Sequence, residues 1–264
     1  MLEGLSEQAQ QPHPLAPALV QARRSAQSID ATDWIGAIGS PEQAYAVQEQ
    51  VAQLLGWFGS GAGAAHYWKS GGGSRQATLT HAGLDPAGVR SSPGNLHGVP
   101  LFSRAVEAEI ALRLGQEVTA ERAAALTAHD AVQLVDAMAV SIEIVDSRWR
   151  EGADAPALLR LADAQSHGAL VLGAWQRYEP RDWSAQTCQV AFNDGRVVRA
   201  SGTHPLGDPA WLLLQWLGHC TRFGASVAAG SVVTTGSWVG MLPAQAGDAV
   251  QVEFPGVGAA EVRL

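Results

Sequence analysis

Charge, cysteine and long apolar runs are all scarce in this chain. Only 16% of its 264 residues are charged, against 47% hydrophobic, which excludes a disordered chain and supports a globular one with a sizeable core. The net charge is −8, and no Lys/Arg run exceeds "RR" at 23–24, so a phosphate-backbone partner has no footprint and no nucleic acid is expected. Two cysteines, Cys188 and Cys220, form no C-x-x-C pair and no disulfide framework. No 18-residue apolar span and no apolar h-region near the polar N-terminus occur, so a cytoplasmic location and no membrane contact are expected. Internal repeats and long linkers are missing too.

What is present alternates. Apolar spacing predicts a helix over 15–29 and a second from Ser40, an N-cap with Pro41 at N1, to Gly56. "AHYWK" reads as a short strand between glycine-rich stretches, and 82–98 as a long loop. Residues 104–114 alternate as a strand, as do 139–146. Thr127 with Asp130 opens a helix over about 127–138 as a capping box. "ALVLG" at 169–173 is a buried strand, 187–200 a hairpin about "NDG", and Asp208–Pro209 opens an apolar helix to about Cys220. That helix, with Trp211, Leu212, Leu214 and Trp216, is either buried or an oligomer contact. "SVVTTG" and two strands about "PGVG" close a mostly-β core with peripheral helices.

Glu107 and Glu109 sit two apart in "VEAEIAL", so on a strand they project from one face about 7 Å apart. Their neighbours on the other face are apolar. Two carboxylates buried together without a partner cost several kcal/mol, which a divalent cation between them removes. Glu143 in "SIEIVD" would complete a set of hard oxygen ligands suited to Mg²⁺ or Mn²⁺. A solvated sheet face would carry the same pattern, and the residues alone leave both open.

The order of several segments narrows the choice. "HYWKSGGGS" at 66–74, "GVPLFSRAVEAEIALRLG" at 98–115, "AVSIEIVDSRW" at 139–149, "LADAQSHGALVLG" at 161–173, "HPL" at 204–206 and "AAGSVVTTGSWVGMLPAQAGDAV" at 228–250 occur in that sequence. Together they resemble the fumarylacetoacetate hydrolase superfamily, in its 2-keto-4-pentenoate hydratase and 4-oxalocrotonate decarboxylase branch. The resemblance implies an α+β fold, a mixed β-roll core with peripheral helices. Residues 1–12, which are polar, read as a disordered tail, leaving one catalytic domain over 13–264, with a helical part at 13–65 and the β core at 66–264. The resemblance places metal ligands at Glu107, Glu109 and Glu143, catalytic residues at Lys69 and Asp163, and substrate contacts at Ser74, Ser166, Thr235 and Gly236. The implied activity is a metal-dependent hydratase of 2-hydroxy-2,4-dienoates in aromatic-compound catabolism, working as a homo-oligomer on a small 2-oxo or 2-hydroxy-dienoic acid. Decarboxylation of a vinylogous 2-oxo diacid, acylpyruvate-type C–C hydrolysis and an inactive partner subunit are the alternatives.

The chain also departs from that branch. Where relatives carry A-D-N-x-S-S-G it has "ADAQSHG", so Ala164 and His167 replace an amide and a hydroxyl. No Asp or Glu lies between Asp85 and Glu107, where an acid/base pair is usual. His97 is a substitute or a turn residue, and His204 reads as structural. Trp175 and Trp238 are candidates for lining an apolar pocket.

Overall fold

The two strands that carry the glutamates lie at the centre of the structure, a computed structural model describing residues 12–59 and 65–264. In chain order the elements are α1 (Leu15–Ser25), α2 (Pro41–Leu55), β1 (Tyr67–Gly71), β2 (Thr80–Gly83), β3 (Val89–Ser91), β4 (Gly94–Asn95) and β5 (Ala105–Leu114). Then come α3 (Ala120–Ala125), α4 (Ala128–Gln133), β6 (Val135–Val145), α5 (Ala157–Ala162), β7 (His167–Leu172), β8 (Gln176–Arg177), β9 (Thr187–Phe192) and β10 (Val197–Ser201). The chain closes with α6 (Leu213–Thr221), β11 (Val232–Thr234), β12 (Leu242–Pro243), β13 (Ala249–Phe254) and β14 (Gly258–Arg263). The expected tail lies outside the described residues except for residue 12.

A mixed sheet runs β2-β1-β11-β5-β6-β7-β3, with β12 added to β5 and β8 to β6. A second sheet runs β10-β9-β13-β14-β4. The alternation of β5 and β6 explains their packing. Val106, Ile110, Val140, Ile142 and Ile144 turn to one side and share a core with Val190, Phe192, Val252 and Phe254 of the second sheet. Fully burying each such side chain contributes about 1.5–3 kcal/mol. The helices α1, α2 and α5 form a separate apolar cluster through Leu15, Leu19, Val47, Val51 and Leu159. The fold is α+β, with mixed sheets and peripheral helices.

Local signals set α2 well. Ser40 accepts from the Gln43 amide, Pro41 is first in the helix, and Gly56 ends it at φ 69°. The Thr127–Asp130 capping box is also present, but its helix stops at Gln133 instead of about 138. Residues 135–138 pair in β6 against 112–114 of β5, so sheet burial overrides the helical spacing. Helix α1 stops at Ser25 because Ala26 turns left-handed at φ 53°. The expected loop at 82–98 holds the short strands β3 and β4, which pair with β7 and β14 and are too short to show a period. Helix α6 is the buried alternative, with Leu213, Trp216 and Leu217 in the main core.

Candidate active site

Antiparallel pairing sets Glu107 directly opposite Glu143, and Glu109 opposite Ser141. Opposed side chains share a face, so all three carboxylates meet on the side of β5 and β6 that faces away from the second sheet. One oxygen from each of Glu107, Glu109 and Glu143 lies within 4.8 Å of the others. Glu109 and Glu143 are buried.

The partners of these carboxylates differ. Lys69 Nζ donates to Glu143 Oε1 at 2.5 Å and to the Gln165 carbonyl at 3.3 Å. His167 Nδ1 meets the same Glu143 oxygen at 2.9 Å. Glu143 Oε2 is buried with no hydrogen-bond partner among the described residues. Thr234 Oγ1 donates to Glu109 Oε2 and lies 2.9 Å from Ser141 Oγ.

These surroundings split the acidities. Burial pushes Glu107 up to about 7, and the neighbouring Glu143 charge adds to this while Lys69 opposes it. Burial likewise pushes Glu109 up to about 8, with Glu143 and Glu107 adding to it. Burial would raise Glu143 too, but Lys69 and His167 outweigh it and hold that carboxyl at about 2. For Lys69 burial favours the neutral amine, yet Glu143, Glu107 and Glu109 together keep its pKa above the ordinary value. The cluster therefore carries more carboxylate than its one ammonium balances. An orphaned buried oxygen, three converging carboxylates and the raised pKa values of Glu107 and Glu109 fit a hard divalent cation.

A cavity of about 530 Å³ opens over the cluster, lined by Lys69, Glu107, Glu109, Gln165, Ser166, Thr234 and Gly236 among others. Its walls are largely small or apolar, including Ala105, Val145, Ala153, Pro205 and Met241. The segment that brings Gln165 and Ser166 there is strained. Ala164, Gln165 and Ser166 take φ of 50°, 54° and 59°, a conformation costing about 1–2 kcal/mol per non-glycine residue.

Asp163, expected to be catalytic, lies on the arginines behind that turn. Its carboxylate accepts from Arg148 Nε at 2.6 Å, the Arg148 amide at 3.0 Å and Arg23 at 3.2 Å, and it does not line the cavity. Two more placements differ from expectation. Ser74 accepts from the Gln76 amide outside the cavity lining, where Thr80 stands instead. Thr235 turns its hydroxyl to the Ile110 carbonyl at 2.7 Å, and Thr234 takes the place beside Glu109. Strand parity carries that exchange: Thr234 pairs with Ala111, which shares a face with Glu109. His97 is exposed and away from the cavity, while His204 is buried against the Thr235 carbonyl at 2.9 Å. Trp238 packs in the core on Trp183 and Phe254, and Trp175 sits under Arg113, so neither lines the cavity.

Comparison with known proteins shows the family and the fold. A family model described as fumarylacetoacetate (FAA) hydrolase, C-terminal, matches residues 93–264. The chain is 33% identical over 159 residues to 2-keto-4-pentenoate hydratase 1 of Dechloromonas aromatica, covering 60% of this chain and 59% of that one. It is 34% identical over 167 residues to 2-keto-4-pentenoate hydratase of Burkholderia vietnamiensis, again covering 60% and 59%. The chain thus spans about 59% of the length of the curated relatives it matches. Among solved structures it superposes on 4-oxalocrotonate decarboxylase from Pseudomonas putida G7, complexed with magnesium and adipate. That match has a TM-score of 0.83 at 20% identity and covers 98% of both chains.

Proposed function

The chain belongs to the fumarylacetoacetate hydrolase family, and on that premise we propose that it is a divalent-metal-dependent hydratase of 2-hydroxy-2,4-dienoic acids. The product would be a 4-hydroxy-2-oxo acid. The observation that carries this reading is the convergence of Glu107, Glu109 and Glu143, one oxygen each within 4.8 Å, beneath a cavity sized for a small molecule. Those three residues would hold Mg²⁺ or Mn²⁺. Such an ion supplies Lewis acidity toward the 2-oxo acid end of a substrate.

The chain's own groups do the rest. Lys69 Nζ fixes the Glu143 rotamer and carries an ammonium proton at the cluster, where it neutralises a substrate carboxylate. Thr234 fixes Glu109 in the same way. Ser166 and Gly236 border the cavity and supply polar contacts, while Ala105, Val145, Ala153 and Met241 exclude water from the tail. One observation favours a second reading, decarboxylation of a vinylogous 2-oxo diacid: among the described residues, the cavity lining has no carboxylate beyond Glu107 and Glu109 to serve water addition. Homo-oligomerisation is part of the same proposal and is checked by light scattering. No described helix is long and apolar enough to cross a membrane.

Calorimetric titration of chelator-treated protein with Mg²⁺, with and without oxalate, tests the ligand set. Binding should strengthen with oxalate and disappear in Glu109→Gln, which should keep its fold by circular dichroism. Full metal retention by that variant would remove Glu109 from the set. Substrate assays then separate the two reactions, since decarboxylation releases CO₂ and hydration does not.

A further inference from the structure

The cavity extends well beyond the glutamates. Along the paired strands, Glu107–Glu143 is followed by Ala105–Val145, and the lining continues to Ser103 and Ser147. From Glu107 to Ala105 the strand advances about 7 Å, and Ser103 lies two residues further along the chain, before β5 begins. Beyond Ser147 the lining is completed by Gly152 and Ala153 of the following turn and by Arg160 of α5. Arg160 is half-buried, and its Nε is inaccessible to water with no hydrogen-bond partner. Arg148 and Arg23 are ion-paired to Asp163, and although Arg23 Nε and Arg104 Nε also lack a hydrogen-bond partner, Arg160 is the arginine that lines the cavity. Arg160 forms no ion pair among the described residues.

A guanidinium left unpaired in a cavity with small apolar walls is a carboxylate receptor, because its fork of donors matches two carboxylate oxygens. Resting on the reading above, the geometry points to Arg160 as the residue that selects a substrate with a second carboxylate at its far end. The substrate class is then a 2-hydroxy-2,4-dienoate bearing a terminal carboxylate, with its 2-oxo acid end at Glu107, Glu109 and Glu143 and its tail at Arg160. Hydration runs on such a diacid directly, and decarboxylation runs on its 2-oxo-3-ene tautomer. Monoacids of the same length leave Arg160 unpaired and lose one charge-assisted contact.

Two unreactive probes of equal length isolate that contact: 2-oxoadipate, with a distal carboxylate, and 2-oxohexanoate, without one. Their affinities are measured by calorimetry on the full chain with saturating Mg²⁺, alongside oxalate. The diacid should bind about 10- to 100-fold more tightly, the range set by one charge-assisted interaction. In Arg160→Gln that ratio should fall to near one, and Arg160→Lys should recover part of it. Equal affinity of the two probes for the unmodified protein would overturn the assignment. So would a parallel loss of both probes in Arg160→Gln, which would put the guanidinium at the 2-oxo acid end. Failure of oxalate to strengthen Mg²⁺ binding while the diacid preference persists would instead overturn the metal reading and leave Arg160 standing.

Discussion

Asp163 shows how a residue that reads as chemistry can serve architecture. Its carboxylate joins the buried Arg148 and the half-buried Arg23 to a turn with three successive left-handed residues, and that turn delivers Gln165 and Ser166 to the cavity. Removing the acid leaves the buried Arg148 with only Asp146, 3.8 Å away, as an ion-pair partner, a loss of up to about 3–5 kcal/mol. Asp163→Ala should therefore lower the urea midpoint sharply, with the activity loss tracking the unfolded fraction. A variant with unchanged stability and abolished turnover would restore Asp163 to the chemistry. Lys69 is the contrasting case, since its ammonium lies on Glu143 itself.

At the scale of elements, the close approach of the two sheets is what seats β5 and β6. Gly173, just past β7, marks the tightest point: a Cβ there would lie 2.5 Å from the Ala259 carbonyl oxygen of β14 and 3.1 Å from that of Val140 on β6. Both obstacles are backbone, so neither can swing aside. Gly173→Ala should cost about 1–3 kcal/mol or more by overpacking. Thermal unfolding measures this, and a shift of less than a degree would mean that the sheets separate readily. The same contact constrains the register of β6, and with it the position of Glu143 opposite Glu107.

For the whole molecule, acid stability depends on imidazoles buried in different elements. Burial holds His81 and His204 at about 4, and Arg222 and Arg75 respectively act in the same direction; His219 is held at about 3. Each folded-state value lies below the ordinary 6.5, so the unfolded chain takes up protons that the folded one refuses. The stabilisation is complete above about pH 6.5, declines as pH falls, and levels off near pH 4. Each such group gives a slope of up to about 1.4 kcal/mol per pH unit. Glu107 and Glu109, raised by burial, act with the opposite sign in metal-free protein, so a variant comparison isolates the imidazole contribution. Between pH 6.5 and 4.5, His81→Gln should flatten the dependence of unfolding free energy on pH by close to one proton. An unchanged slope would mean that His81 titrates normally in the folded protein.

Sequence by itself determined the features governed by local periodicity and composition. The alternation of 104–114 and 139–146 specified strands with one apolar face, Ser40 and Gly56 bounded α2, and the i, i+2 spacing put Glu107 and Glu109 on one side. The order of segments carried the family and the α+β fold. Tertiary structure alone decided the rest, because those outcomes depend on register and burial between distant residues. Pairing of β5 with β6 brought Glu143 opposite Glu107 and took residues 135–138 away from a helix. Pairing of β11 with β5 chose Thr234 over Thr235. The Arg148 and Arg23 guanidiniums turned Asp163 into a clamp, and α5 carried Arg160 to the cavity without a partner. The residues that decide each pairing lie 15 or more positions away, where no local pattern records them.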